Sequence, residues 1–206
     1  MEAVERAGTS FYSYPYPVCK AGNDLRSVFR DYLDDDATRS LVESTAQAKA
    51  IMLACLVDKT MNFEQRIEAV DQYLHALRSV HESLLTKGGV KVSQNPVFEW
   101  TLFVQGGAAE SFKSADMVFE LLMLLHLKAL LHYYRARGLL STDSRAFLSE
   151  AAKQCLQVQC QCYYSAAAAQ QFNAMYLSYT YVFYVCSVCH VLYDVITVGR
   201  CRENSY

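Results

Sequence analysis

Apolar residues recur every three or four positions between residues 62 and 86. Such a stripe of helical period predicts one amphipathic helix, with His81 as its only polar member. Asn62 and Gln65 have the spacing of a reciprocal N-terminal cap, and Gly88-Gly89 marks the end of the helix. The stripe is formed by Phe63, Ile67, Val70, Leu74, Leu77, His81 and Leu84.

Two more helices are predicted upstream, over parts of residues 24–57. The first covers Leu25 to Leu33, and the second carries apolar residues from Ala37 to Leu56. Three aspartates at positions 34–36 separate them. Carboxylates at this point favour an acidic N-terminal cap for the second helix. Chelation of a cation by the three side chains is the alternative.

Residues 112–137 are apolar nearly all round, which predicts a helix at the centre of the fold. Arg135 and Arg137 precede Gly138, and this order predicts that the helix ends there. A further helix is predicted over residues 144–165.

Residues 96–104 alternate between two faces, one of which is entirely apolar. This period of two predicts a half-buried strand. Trp100, the only tryptophan, lies on the apolar face and is expected to anchor the core. The apolar face comprises Phe98, Trp100, Leu102 and Val104.

The sparse helix breakers complete a prediction of fold class. The chain has only three prolines and eight glycines in 206 residues, and they leave long uninterrupted stretches. We therefore predict a mainly α protein, built of antiparallel helical hairpins with a short extended segment near 96–104. Pro15 and Pro17 predict an extended N-terminal arm over residues 1–22 that packs on the body through its aromatic side chains.

Charge and composition exclude some classes of function. Lysine and arginine number 19 and aspartate and glutamate 21, so the net charge of −2 offers no field for a nucleic acid. With 52 % hydrophobic and 19 % charged residues, intrinsic disorder is excluded for most of the chain. It contains no nucleophile-elbow, phosphate-loop, zinc-protease or dinucleotide motif. We predict that it is not an enzyme, with no catalytic residue and no cofactor.

Residues 154–193 contain no aspartate, glutamate, lysine or arginine, but five of the eight cysteines. One interpretation is a membrane span near 175–198, followed by Arg200 and Arg202 on the cytosolic side. A second is a haem or zinc site using Cys186, Cys189 and His190, or these thiols with those of residues 160 and 162. The default interpretation is a buried helix or an uncharged surface that faces a partner. Histidines at positions 75, 81, 126, 132 and 190 are expected on helix faces or in the core, and no metal site is predicted.

The order of these elements resembles that of BRO1 domains. Residues 66–85, with Ile67, Val70, Tyr73, Leu74, Leu77 and Leu84, resemble a Tyr/Leu-rich helix of that family. The segment from Val97 to Trp100 resembles its Phe-x-Trp strand, and Phe112–Ala136, with Phe119-Glu120, resembles its next helix. Ser144–Tyr164 resembles the helix after that, so the likeness covers roughly residues 10–165.

The resemblance implies a diverged or truncated BRO1-like body at residues 23–165, after the arm at 1–22. Residues 166–206 follow as an uncharged helical segment facing a partner or a membrane. BRO1 domains are tetratricopeptide-like, non-enzymatic adaptors of endosomal sorting and membrane remodelling. They bind the C-terminal amphipathic helix of a Snf7-like ESCRT-III subunit, in the cytoplasm and at endosomes. The family's binding patch lies beyond the matching region, so the binding residues stay unknown. A tail-anchored membrane protein with a span near 175–198 is the alternative.

Overall fold

The computed structural model describes residues 17–20, 24–29, 35–86, 98–103, 109–140 and 153. Four helices and three strands lie in this part of the chain, and the helices contain most of its residues. In chain order they are β1 (Val18–Cys19), α1 (Leu25–Val28), α2 (Asp36–Val57), α3 (Phe63–Thr86), β2 (Phe98–Phe103), β3 (Ala109–Ser114) and α4 (Met117–Leu140).

Local capping fixes the hairpin that α2 and α3 form. The Asp35 carboxylate accepts hydrogen bonds from the backbone of Ala37 and Thr38, at 3.2 and 3.3 Å, and so caps α2. Asn62 and Gln65 exchange two hydrogen bonds of 2.9 Å at the start of α3. Both predicted caps are confirmed, and the short connection between them makes the two helices antiparallel neighbours.

Helix α3 lies between α2 and α4 and packs on both. Two ion pairs give its direction relative to α4: Arg135 with Glu64, at 2.6 Å, and Lys128 with Asp71, also at 2.6 Å. Because the residue number rises from Glu64 to Asp71 along α3 while that of the partner falls from Arg135 to Lys128 along α4, the two helices are antiparallel. The predicted mainly α architecture of antiparallel helical hairpins is therefore confirmed.

A three-stranded antiparallel sheet of order β1-β2-β3 lies beside the helices. The predicted extended segment is confirmed as β2, in which Trp100 is opposite Phe112 of β3 and Cys19 of β1. Strand β1 belongs to the N-terminal arm, whose described residues are extended as predicted. The aromatic side chains through which the arm was expected to pack on the body, Phe11, Tyr12, Tyr14 and Tyr16, lie outside the described residues.

The prediction of a helix over 112–137 was wrong at both ends. Phe112 lies in β3, and α4 begins only at Met117, where the Asp116 carboxylate caps the amide of Val118 at 2.9 Å. The predicted stop at Gly138 is also wrong, since α4 continues through it to Leu140. A glycine inside a helix is about 1 kcal/mol less favourable than an alanine, and the packing of a long, buried helix such as α4 offsets this cost.

The core lies where the two faces of α3 meet α2, α4 and the sheet. Helix α3 buries more than its predicted stripe, because Ala69, Tyr73 and Val80 are also buried. The predicted core position of Trp100 is confirmed, since this side chain is fully buried. The largest fully buried apolar side chains are Phe29, Met52, Tyr73, Leu77, Phe98, Trp100, Met123, Leu124, Leu127, Leu130 and Leu131.

Two helices, α2 and the stretch of α4 from Met117 to Arg135, are long and apolar enough to cross a bilayer by length and composition alone. The apolar window of α4 is 67 % buried, as in the central helix of a water-soluble fold, whereas that of α2 is only 22 % buried. Of the predicted helix at 144–165 only residue 153 is described, and it is helical. The segment 166–206 and the alternative span at 175–198 lie outside the described residues.

Candidate functional site

A carboxylate lies at the centre of the core. Glu120 of α4 is completely buried, and four other side chains donate to its two oxygens. The donors come from β1, α2, α3 and β2. Together we call these side chains the polar cluster: Cys19, Lys49, Tyr73, Trp100 and Glu120.

The geometry of the polar cluster satisfies both carboxylate oxygens. Oε1 accepts from Lys49 Nζ at 3.2 Å and from the Tyr73 hydroxyl at 2.9 Å. Trp100 Nε1 donates to Oε2. All of these neighbours are donors, which is the environment that an ionised carboxylate needs when it is removed from water.

Lys49 is held on the other side by aromatic rings. Its ammonium nitrogen lies 5.7 Å from the centre of the Tyr73 ring and 5.4 Å from that of Phe98. At these distances the negative faces of the rings attract the cation. The charge of Lys49 is thus compensated by Glu120 and by two rings, in a position where its side chain is almost fully buried.

Burial sets the protonation of the two acids that flank Glu120. Burial first, and then the Glu120 charge, raise the pKa of the Cys19 thiol to about 12. The same two causes raise the pKa of Tyr73 well above its ordinary value. Both groups therefore remain protonated at neutral pH and can donate to the carboxylate.

We expect Cys19 to resist alkylation in the native protein. The thiolate is the reactive form, and with a pKa of about 12 it is scarce at pH 8. Iodoacetamide treatment at pH 8, followed by peptide mass mapping, should leave Cys19 unmodified until urea is added. Half-buried Cys55 serves as the internal control and should react first.

The raised pKa of Cys19 also makes the stability of the fold depend on pH. An acid whose pKa rises on folding, here from 9.0 to about 12, contributes stability below pH 9 and loses it as the pH rises toward 12.

The alkylation experiment has a result that would contradict the buried position of the Cys19 thiol. This result is alkylation of native Cys19 as fast as that of Cys55 at pH 8.

The polar cluster contains residue types that acids, bases and nucleophiles use in enzymes. Their polar atoms, however, are directed at one another, and every member is at most 7 % exposed. The hydrogen bonds of the polar cluster therefore connect five elements at one point in the core: β1, β2, α2, α3 and α4. None of its members was predicted as a site residue, and the prediction named no catalytic, binding or metal residue at all.

Two of these residues carry a signal that sequence reasoning missed. Lys49 is the only charged residue between Glu43 and Asp58, and Glu120 is the only one between Asp116 and Lys128. Single charges of opposite sign within two apolar helices indicate a buried pair.

A second polar group fastens the N-terminal arm to the outside of the sheet. Glu99 of β2 accepts from Lys20, from the Ser111 hydroxyl at 2.7 Å, and pairs with Lys113 at 3.4 Å. These contacts, with that of Lys20 the largest, lower the pKa of Glu99 to about 2. The stability that they contribute is present above the ordinary glutamate pKa and is lost as the pH falls toward 2.

The outer face of α2 is the other feature with functional potential. Near its C-terminal end, Ala50, Ile51, Ala54 and Val57 are exposed to solvent, and we call them the α2 patch. Ile51 is 43 % exposed and Val57 81 %. Neighbouring exposed apolar side chains on one helix face make this surface a candidate contact site for another protein.

No group of three or more histidine, cysteine or acidic side chains has the arrangement of a metal site within the described ranges. Asp35 acts as the predicted cap, and Asp36 pairs with Arg39. The cysteines at positions 160, 162, 186 and 189, and His190, lie outside these ranges. Comparison with models of known protein families and with curated proteins found no match to this chain.

Proposed function

We propose that this protein is a non-enzymatic, BRO1-like adaptor that docks an amphipathic helix of a partner protein. The α2 patch is the observation that carries the proposal. It lies at the outer edge of a stack of antiparallel helices, where the partner's helix extends the stack by one more member.

The order of elements along the chain supports the BRO1 resemblance. A Tyr/Leu-rich helix is followed by a Trp-bearing strand and then by an apolar helix, in α3, β2 and α4. By analogy with that family, the partner is the C-terminal helix of a Snf7-like ESCRT-III subunit. The setting is endosomal sorting and membrane remodelling, in the cytoplasm and at endosomes.

Calorimetric titration of the full chain with a Snf7-like C-terminal helix peptide tests this function. We expect saturable binding with a Kd of roughly 1–100 μM, the range of a single docked helix. The control is a peptide of the same composition in scrambled order, which lacks the apolar stripe. Equal heats from the two peptides, or no heat from either at high micromolar concentration, would refute the endosomal adaptor function.

A further inference from the structure

The outer face of α2 changes character along its length. One row of exposed residues with the spacing 4, 3, 4, 3 runs along the helix, and Ile51 lies beside it. The row begins with an acidic side chain, continues with an amide and then becomes apolar. It consists of Glu43, Gln47, Ala50, Ala54 and Val57.

Charges of opposite sign lie at the two ends of this row. Glu43 is exposed near its start, and Lys59 is exposed just beyond the end of α2. Within the described part of the chain, the ion pairs involve neither of these two residues. Both charges are therefore available to a partner.

We propose that the α2 patch, with Glu43 and Lys59 at its ends, is a docking site for an amphipathic helix that runs antiparallel to α2. The partner's apolar stripe covers Ile51, Ala54 and Val57. Acidic residues in its first turn lie near Lys59, and basic residues in its last turn lie near Glu43. This deepens the proposed function, because it gives the site and orientation of the docked helix.

Two independent effects favour this orientation. An antiparallel helix places its partly positive N-terminal end beside the partly negative C-terminal end of α2. Acidic residues at the start and basic residues at the end also stabilise the partner helix itself. The charges on α2 therefore select the kind of helix that is already stable by itself.

The length of the row sets the size of the partner. From Glu43 to Val57 the helix advances 14 residues, or roughly 21 Å at 1.5 Å per residue. A partner helix of about 14–16 residues spans this distance. The small side chains of Ala50 and Ala54 let such a helix approach α2 closely.

The charges at the two ends of the α2 patch also allow an experiment to distinguish a charged partner helix from the chain's own uncharged segment. Residues 154–193 have no charged side chain, so their affinity for the patch would not depend on Glu43 or Lys59. A change of affinity when one of these charges is reversed is therefore specific to a charged partner.

Two synthetic 16-residue helices, held helical by the same hydrocarbon staple, test the proposal with the full-length protein. Both carry leucines on one stripe, but one has glutamates in the first turn and lysines in the last, and the other has the reverse. We expect the first peptide to bind more tightly, by roughly two- to fivefold. The second peptide can form the same ion pairs only by lying parallel to α2, which places like ends of the two helix dipoles side by side.

The variants Ile51→Asp and Glu43→Lys locate the site. Ile51→Asp should weaken both peptides by about tenfold or more, because it places a charge in the apolar contact. Glu43→Lys should lower or reverse the preference between the peptides. Leu85→Asp is the matched control: this leucine is 64 % exposed at the far end of α3, and its replacement should leave both affinities unchanged.

Three results would overturn the proposal. One is equal binding of the two peptides to the unmodified protein and to Glu43→Lys. Another is self-association, seen by sedimentation, that Ile51→Asp abolishes, since a second copy then covers the patch. The third is that neither peptide binds the unmodified protein, since the patch is then covered by the chain itself or has no affinity for such a helix.

These outcomes are distinct from failure of the proposed function. If the Snf7-like peptide binds and Ile51→Asp has no effect on it, the adaptor function stands and the docking site is elsewhere. If the stapled peptide with acidic first turn binds at the α2 patch and the Snf7-like peptide does not bind, the docking site stands and the endosomal partner is wrong.

Discussion

Replacing Glu120 by alanine is expected to lower the free energy of unfolding by about 3–5 kcal/mol. The substitution leaves the ammonium of Lys49 in the core without its 3.2 Å carboxylate partner. It also removes the acceptor of the Tyr73 and Trp100 hydrogen bonds. Urea unfolding followed by circular dichroism measures the effect without using Trp100, whose fluorescence the substitution itself changes.

The double variant Lys49→Met, Glu120→Leu removes both charges of the ion pair. It therefore shows how much of the loss in Glu120→Ala comes from leaving the Lys49 charge buried without a partner. Apolar residues of similar volume often replace a buried ion pair at no cost, so this variant should recover the part of the lost stability that is due to the unpaired Lys49 ammonium. The part that is due to Tyr73 and Trp100 should remain, because both still lack an acceptor. If Glu120→Ala lowers the free energy of unfolding by less than about 1 kcal/mol, the prediction is wrong. Such a small loss would mean that water reaches the Lys49 ammonium in the variant.

Replacing Trp100 by alanine is expected to lower the free energy of unfolding by about 3–5 kcal/mol, the range for large aromatic side chains in a core. The side chain is fully buried between the sheet and α4, and its indole nitrogen donates to Glu120. Its loss leaves both a cavity and a carboxylate oxygen without a donor. The same urea and circular dichroism measurement detects the change.

Trp100→Phe divides these two contributions, because phenylalanine fills most of the space but cannot donate. We expect it to lose about 1–3 kcal/mol, the effect of one unsatisfied buried acceptor. Val57→Ala, at an 81 % exposed position, is the surface control and should change stability by less than about 0.5 kcal/mol. Equal losses for Trp100→Phe and Trp100→Ala would mean that packing around the ring contributes nothing.

Features that depend on neighbouring residues could be predicted from the sequence. The cap at Asp35, the reciprocal pair of Asn62 and Gln65, and the alternation around Trp100 all involve residues within a few positions of one another. The helical period over 62–86 likewise reports one face of one helix. It could not show that α3 buries a second face, because that depends on helices on both of its sides.

Strand β3 and the start of α4 could not be predicted in the same way. Residues 109–114, Ala-Glu-Ser-Phe-Lys-Ser, have little intrinsic preference for a strand, and they are extended because β2 offers them a ladder. The helix was therefore expected to begin at Phe112, which instead lies opposite Trp100.

The candidate site was the least predictable part of the molecule. Lys49 and Glu120 are 71 residues apart. The lone charges of opposite sign indicate a buried pair, but no local pattern shows that these two helices pack against each other. Exposure of the α2 patch was equally invisible, because an apolar residue in an amphipathic helix is expected to be inside. Only the packing of α2 at the edge of the stack leaves Ile51 and Val57 outside.

The polar cluster also constrains the order in which a growing chain can mature. Synthesis proceeds from residue 1, so Cys19, Lys49, Tyr73 and Trp100 all leave the ribosome before the single acceptor that they share. Until position 120 has emerged, a folded intermediate would hold the Lys49 ammonium in an apolar setting without its counter-ion. The closed core around Lys49 can therefore form only after α4 has been added.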